Sequence, residues 1–192
     1  MKQIKKWIME QWKSKYFRLL LFAALTAMIV LGAEFYLFQY SFLKVVRYLL
    51  LILGLFIIAW IDGNSKRIPN ELLSILVVFR SILMILECVF FHEIWLTLLI
   101  SFSGGAIIGG GVFLFCYLVT RGAVGAGDVK LFAVVGYFLG SGVIFTAMFL
   151  TVVLSAFYSV LQLIFKKKGL KEEIPFAPFV CAGTLFTMIL GM

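Results

Sequence analysis

The sequence predicts an all-α membrane protein, a polytopic bundle of six to seven transmembrane helices. Its 192 residues are 64% hydrophobic and only 14% charged, whereas a soluble domain is about half apolar and about a quarter charged. The apolar residues fall in runs, most of them close to the ~20 residues that cross the hydrocarbon core of a bilayer. The lipid bilayer is therefore an expected partner, and nothing in the pattern indicates a second membrane-embedded domain.

The first 18 residues form a separate element. Residues 1–18 carry six Lys or Arg, with apolar residues at helical spacing between them. This pattern is typical of an amphipathic helix at the inner headgroup layer. A cleaved signal peptide is the alternative, because an apolar run follows and Leu31-Gly32-Ala33 ends in small residues. The long basic region and the continuation of the run favour the interfacial helix, which leaves 19–192 as the transmembrane domain.

Seven apolar runs follow in order. The run 129–139 is the short one, because at ~1.5 Å per residue it covers about half of the hydrocarbon core. It is either a short span in a thinned bilayer or one limb of a broken pair that ends at Gly140-Ser141-Gly142. In the fourth run, Gly105 and Gly109 have the spacing that permits close helix packing. The runs are 19–40, 44–61, 71–91, 94–119, 129–139, 143–165 and 174–191.

The basic residues predict the orientation. With the N-terminus inside and seven crossings, fourteen of the seventeen Lys and Arg lie on the inner side. Such a bias marks the cytoplasmic face of a cell-membrane protein. The net charge of +8 is then explained by contact with anionic headgroups, so no nucleic-acid partner is expected.

Three basic residues escape this pattern. In this orientation Lys44 and Arg47 lie on the outer side, and Arg80 falls inside a span. A buried membrane charge seeks a partner. The candidates for Arg80 are Glu87, seven residues on along the same helix face, and Glu34.

The chain has nine acidic residues but only two aspartates, and both lie at predicted membrane boundaries on the inner side. Asp62 ends an apolar run and Asp128 opens one. A carboxylate at membrane depth is costly and tends to be functional. The alternative for Asp128 is a helix cap, since a helix N-terminus favours a carboxylate.

The residues around Asp128 favour a functional role. Gly125 and Gly127 flank the small Ala126 and leave no bulky side chain beside the carboxylate. Glycines also permit unusual backbone angles and the close approach of an extended substrate. Two neighbouring carboxylates tend to share one proton. The ionised one can then activate a water while the protonated one donates to a peptide carbonyl, without metal or cofactor.

Three stretches resemble the motifs of type IV prepilin peptidases. Gly125-Ala126-Gly127-Asp128, followed by Val129-Lys130-Leu131, resembles their second aspartate motif, G-x-G-D. Asp62 with Ile68-Pro69-Asn70 resembles the first aspartate motif. The stretch from Ile174 to Phe179 resembles the proline-containing start of their final helix. The matches come in family order over residues 59 to 191, and together they are specific.

The resemblance implies a membrane aspartyl endopeptidase that removes the short basic leader of prepilin-like precursors at the cytoplasmic face. Asp62 and Asp128 would be its catalytic pair, and 19–192 its peptidase domain. The larger, bifunctional members carry a cytoplasmic insert, often with paired C-x-x-C motifs, which is associated with N-methylation. The three cysteines of this chain form no such pair. The resemblance is therefore to the compact branch of tight-adherence pilus peptidases or archaeal preflagellin peptidases.

Several further residues are candidates for supporting roles. Gly125, Gly127, Lys130 and Asn70 are expected to shape the active-site loops. Lys66 and Arg67 are possible substrate contacts, although inner-face anchoring explains them equally simply. Glu172 and Glu173 could attract a basic leader, or could be solvated loop charges.

Two other classes of function stay open on the sequence. A presenilin-type intramembrane protease also uses G-x-G-D, but there a Tyr-Asp pair within a span is expected, and Ile61 precedes Asp62 here. A channel or transporter subunit would explain the spans and the inner aspartates as an ion path. It would leave the ordered set of three motifs unexplained.

Overall fold

The computed structural model describes residues 41–120, 124–165 and 174–190, together with Leu25, Ile29 and Gly32. The predicted interfacial segment 1–18 and most of the run 19–40 lie outside the described residues. Within those ranges the chain forms six α-helices and a short 3-10 turn at His92–Ile94, with no strand. The helices are α1 Phe42–Ser65, α2 Asn70–Phe90, α3 Trp95–Val119, α4 Ala126–Leu139, α5 Ile144–Ile164 and α6 Ala177–Ile189.

Four helical stretches are long and apolar enough to cross a membrane: α1, α2, His92–Val119 (which contains α3) and α5. Their outer faces expose large apolar side chains, such as Phe79 on α2 and Phe149 on α5. Such surfaces suit lipid rather than water. The predicted helical membrane bundle is confirmed.

The short run 129–139 becomes α4, a helix of 14 residues that is about 21 Å long. It ends because Gly140 adopts a φ of 88°, a left-handed region that glycine enters without steric cost. The Ser141 N–H then donates to the Ser101 carbonyl of α3 at 2.9 Å, and the chain turns directly into α5. The helix thus ends at the predicted glycine turn, and it is not among the four stretches long enough to cross the membrane.

α4 packs most extensively against α3, and glycines make this contact possible. A Cβ at Gly105 would collide with the Gly136 carbonyl oxygen, and one at Gly109 would collide with the Phe132 carbonyl oxygen. The predicted packing role of Gly105 and Gly109 is therefore confirmed. One turn further on, the ring of Phe113 stacks on that of Phe132 with centroids 4.0 Å apart.

α6 packs against α1 and α5. On the α5 side, Gly183 fits so closely against Thr151 that a Cβ would lie 2.8 Å from its backbone nitrogen. On the α1 side, Leu51, Leu55 and Ile58 are almost fully buried. This packing places the start of α6 beside the last turn of α1.

A buried ion cluster lies towards the opposite end of α1. Arg80 Nη2 contacts Glu87 Oε2 at 3.0 Å, which confirms the predicted pair; Glu34 lies outside the described residues. Arg47 Nη1 contacts the other oxygen of Glu87 at 2.9 Å. Arg47 thus lies on α1, near the end opposite Asp62. α1 begins at Phe42, two residues before the apolar run, and Arg47 is buried because Glu87 compensates its charge.

The α3–α4 packing predicts that the same substitution at two helical glycines has different effects on the free energy of unfolding. Gly136→Ala should lower the free energy of unfolding by roughly 1–3 kcal/mol, because its Cβ would overlap the Gly105 backbone. Gly111→Ala meets no heavy atom within 4 Å. It should be neutral or slightly stabilising, since alanine is preferred in helices by about 1 kcal/mol. Thermal unfolding in detergent micelles measures both, and equal effects of the two would contradict this packing.

Candidate active site

Asp62 and Asp128 line one cavity of about 590 Å³. Asp62 comes from the last turn of α1 and Asp128 from the first turn of α4. The remaining walls come from the α1–α2 loop, the start of α2 and the segment that precedes α6. Two aspartates 66 residues apart in sequence are thus brought to the same end of the bundle. The lining residues are Asp62, Lys66, Arg67, Ile68, Asn70, Gly125, Ala126, Gly127, Asp128, Lys130, Ile174, Pro175 and Phe176.

Asp62 is held by the N-terminus of α6. Its side chain is nearly inaccessible, with 5% exposure for the residue, and its Oδ2 accepts the backbone N–H of Ala177 at 2.9 Å. Ala177 is the first residue of α6, so this N–H has no partner within its own helix. The helix dipole also favours a carboxylate at this point. The packing of α6 on α1 therefore fixes one oxygen of Asp62.

α1 ends just beyond Asp62. Lys66 adopts a left-handed conformation with a φ of 52°, and its N–H bonds to the Asp62 carbonyl. A lysine in this region of φ/ψ space costs about 1 kcal/mol or more. The turn directs the four-residue loop 66–69 across the cavity mouth before α2 begins at Asn70.

Asp128 is held by its own helix start. It is the third residue of α4, and its Oδ2 accepts the Gly125 N–H at 3.2 Å. The capping interpretation therefore describes its geometry correctly, and the same carboxylate still faces the cavity. A helix cap and a reactive group are not exclusive alternatives at this position.

The two glycines beside Asp128 are required for space. Gly125 has an ordinary φ of −68°, and the only described glycine with a positive φ is Gly140. Neither Gly125 nor Gly127 therefore uses the unusual backbone angles that glycine permits. A Cβ at Gly125 would lie 3.0 Å from Asp128 Oδ2, and one at Gly127 would lie 3.2 Å from the Ile68 Cβ. Larger residues would crowd the carboxylate or displace the α1–α2 loop.

Burial raises the pKa of the Asp128 carboxyl to about 6, well above its ordinary value of 3.8. The negative charge of Asp62 acts in the same direction, while the hydrogen bond from the Gly125 N–H opposes both. The protonated form of Asp128 therefore predominates below about pH 6, and roughly one molecule in ten still carries this proton at pH 7.

Lys130 and Asn70 meet at the cavity wall. Lys130 Nζ donates to Asn70 Oδ1 at 2.9 Å, which ties the first residue of α2 to the first turn of α4. Both residues were expected to shape the active-site loops, and this contact lies between them. Lys66 and Arg67 also line the cavity, whereas Glu172 and Glu173 lie outside the described residues.

Sequence reasoning missed three contributions to the site. They are the Ala177 N–H, the ring of Phe176 in the cavity wall, and Ile68 against Gly127. Phe176 is held by rings from two helices, Phe113 at 5.9 Å and Phe132 at 6.1 Å between centroids. Pro175 and Pro178 did signal a helix start, and a helix start supplies unpaired N–H groups. Nothing in the sequence indicated which carboxylate would accept one.

The raised pKa of Asp128 predicts a pH-dependent effect of Asp128→Asn on stability. The folded protein holds this proton more tightly than the unfolded chain, so the contribution of Asp128 to stability falls as pH rises from about 4 to about 6. Asp128→Asn removes that penalty. It should raise the free energy of unfolding by roughly 1–3 kcal/mol at pH 7.5, at about 1.4 kcal/mol per pKa unit, and by less at pH 5.

Thermal unfolding of wild type and variant at both pH values is the measurement. Glu71→Gln is the control, because it removes an exposed carboxylate from the first turn of α2. A gain that is equal at pH 5 and pH 7.5, or a loss at pH 7.5, would contradict the raised pKa.

Comparisons with known proteins identify the family to which this chain belongs. The model of the type IV leader peptidase family matches residues 49–160, a stretch that contains both aspartates. A Bacillus subtilis (strain 168) protein, "Prepilin leader peptidase/N-methyltransferase", is 29% identical over 140 residues, which cover 71% of this chain and 52% of that protein. The chain thus spans about half of the length of that relative. No solved structure gives a significant match. With more than half of its length matched by the family model, the chain belongs to the type IV leader peptidase family.

Proposed function

We propose that this protein is a membrane aspartyl endopeptidase that removes the short basic leader of prepilin-like precursors. The main observation behind the proposal is that Asp62 and Asp128, which lie on two separate helices, line the same cavity. Membership of the type IV leader peptidase family and the similarity to the Bacillus relative support it.

The two carboxyls differ in a way that suits acid–base catalysis. Asp128, with its pKa near 6, supplies the protonated carboxyl that donates to the scissile carbonyl oxygen. Asp62, fixed by the Ala177 N–H, acts as the ionised base that takes a proton from the attacking water. The resulting tetrahedral diol collapses as the C–N bond breaks. The amine leaves with the proton that Asp62 had accepted, and Asp128 recovers its own.

The cavity walls divide into an apolar and a cationic part. Ile68, Ile174 and Phe176 form an apolar surface, on which the first residues of a hydrophobic substrate helix would lie. Lys66 and Arg67 contribute the cationic part, and they would contact substrate carbonyl or carboxylate oxygens. They also repel a basic leader, which would therefore extend away from them.

We place the site at the cytoplasmic face of the cell membrane, with the N-terminus inside. The support is the charge bias that this orientation gives, because seven crossings with the N-terminus inside place fourteen of the seventeen basic residues on the inner side, as is usual for cytoplasmic loops. In this orientation the substrate helix would lodge in the bilayer and present its start to the two aspartates.

We further propose that the protein cleaves without methylating. The relative from Bacillus subtilis is described as both leader peptidase and N-methyltransferase. The 192 residues of this chain contain no C-x-x-C pair. Its cysteines, Cys88, Cys116 and Cys181, lie on three different helices.

Conservative neutralisation of either aspartate tests the peptidase. Asp62→Asn and Asp128→Asn should each reduce leader removal from a co-expressed prepilin by at least about 10²-fold, since each removes one proton-transfer group. Immunoblotting of precursor and mature protein measures the effect. Mass spectrometry of the product should find an unmethylated N-terminus.

Glu71→Gln is again the matched control, because Glu71 is an exposed carboxylate on α2 and does not line the cavity. Both aspartate variants must insert in the membrane at wild-type levels. Wild-type cleavage by either of them would refute the proposal. A methylated product would refute only the peptidase-only part.

A further inference from the structure

The buried ion cluster of Arg47, Glu87 and Arg80 connects the two helices that carry the aspartates. Glu87 Oε1 contacts Arg47 Nη1 of α1 at 2.9 Å, and its Oε2 contacts Arg80 Nη2 at 3.0 Å. Arg80 Nε in turn donates to the Tyr137 carbonyl of α4 at 3.0 Å. A continuous chain of contacts therefore runs from the helix of Asp62 to the helix of Asp128.

The contact with Tyr137 is made at the end of α4. The last four carbonyls of a helix have no partner within it, and the Tyr137 carbonyl is one of these, because α4 ends at Leu139. The negative end of the helix dipole also favours a cation there. Arg80 therefore caps α4 from α2 and holds the end of α4 against α2.

The cluster lies far from the cavity. On α1, Arg47 and Asp62 are fifteen residues apart, which is about 22 Å along a helix. On α4, Tyr137 and Asp128 are nine residues apart, or about 14 Å. None of the three charged residues lines the cavity, so their effect on it must pass along the two helices.

Packing between α1 and α4 alone does not fix their relative position. Their direct contact is slight, whereas α4 lies mainly against α3. The cluster adds a rigid link. Arg80 is completely buried, and the guanidinium carbons of Arg47 and Arg80 lie 4.6 and 4.1 Å from the centroid of the Phe102 ring on α3.

Stability alone does not account for such a cluster. Taking three charges out of water is costly, and well-packed apolar residues often replace buried ion clusters without loss of stability. The contacts of the cluster point to a positional role. Glu87 is linked to α1 through Arg47 and to α4 through Arg80, and these are the two helices that must be held in register.

We propose that Glu87, with Arg47 and Arg80, is a positioning residue that sets the register of the Asp62 helix against the Asp128 helix. The proposal rests on the proposed function only for its effect on cleavage. The helix register itself can be measured without substrate.

The first test is kinetic, with the full-length protein in micelles and a purified prepilin. Glu87→Gln weakens both ion pairs. It should lower kcat by roughly 10–100-fold, because a shift of about 1 Å at a reacting pair has an effect of that order, while KM changes by less than about threefold. Ser81→Ala is the control. It removes a hydroxyl that contacts the Tyr137 side chain at 3.2 Å, and it should leave kcat unchanged.

The second test measures register directly. Spin labels are placed at Gly63→Cys, next to Asp62 in the chain, and at Ala126→Cys in the cavity wall, both exposed positions. The background has the three native cysteines replaced by alanine. Their distance distribution should be narrow with Glu87 and broader or shifted with Glu87→Gln. The triple variant Arg47→Met, Glu87→Met, Arg80→Met removes all three charges, so that misfolding from an unpaired charge is avoided. It should unfold at a temperature near wild type and still show low kcat.

Wild-type kcat and an unchanged distance distribution in the folded triple variant would overturn the positioning role. If Asp62→Asn cleaves normally while Glu87→Gln still changes the distance distribution, the proposed function fails and the register link stands. The two hypotheses are therefore separable.

Discussion

The carboxylate of Asp62 is almost fully buried, and an ionised oxygen in such a place must be matched by hydrogen-bond donors. The donor is the first N–H of α6, a group that a helix start leaves unpaired. This contact joins the start of α6 to the last turn of α1. It also brings the 174–176 segment into the cavity wall. The burial of Asp62 thus explains why one of its oxygens is held by a backbone N–H, and this fixed position is what suits Asp62 to its proposed role as the base.

Charge burial also organises the far end of the bundle. Glu87 compensates two arginines, and one of these caps the short helix that carries Asp128. Between the two ends, contact is apolar and close, with Gly105 and Gly136 allowing the α3 and α4 backbones to meet. The bundle therefore combines non-directional packing along its length with directional polar contacts at its two ends. Directional contacts define the register of one helix against another, whereas the packing of apolar surfaces alone defines that register poorly.

Much of this arrangement was predictable from the sequence. Asp62 and Asp128 were identified because they are the only two aspartates in the chain and lie at predicted membrane boundaries. The spacing along a helix identified the pair of Arg80 and Glu87. The spacing of small residues identified the packing role of Gly105 and Gly109. The features that escaped prediction depend on which elements meet in space. No partner for Arg47 was predicted, and only the position of Glu87 on another helix explains its burial. The hydrogen bond between Asp62 and Ala177 joins positions 115 residues apart, and no local pattern encodes such a pairing. At Gly125, sequence indicated that glycine mattered but could not distinguish a need for space from a need for backbone freedom.

The central claim is that Asp62 and Asp128 act as an electrostatically coupled pair within one cavity. Infrared titration of protonated carboxyl groups, with Asp128→Asn used to assign the band, tests it most directly. A carboxyl belonging to Asp128 should titrate near pH 6, and in Asp62→Asn its pKa should fall without reaching the ordinary 3.8, because burial, the larger cause, remains. A band that titrates at the same pH in wild type and in Asp62→Asn, or the lack of any carboxyl titrating near pH 6, would contradict the coupled pair.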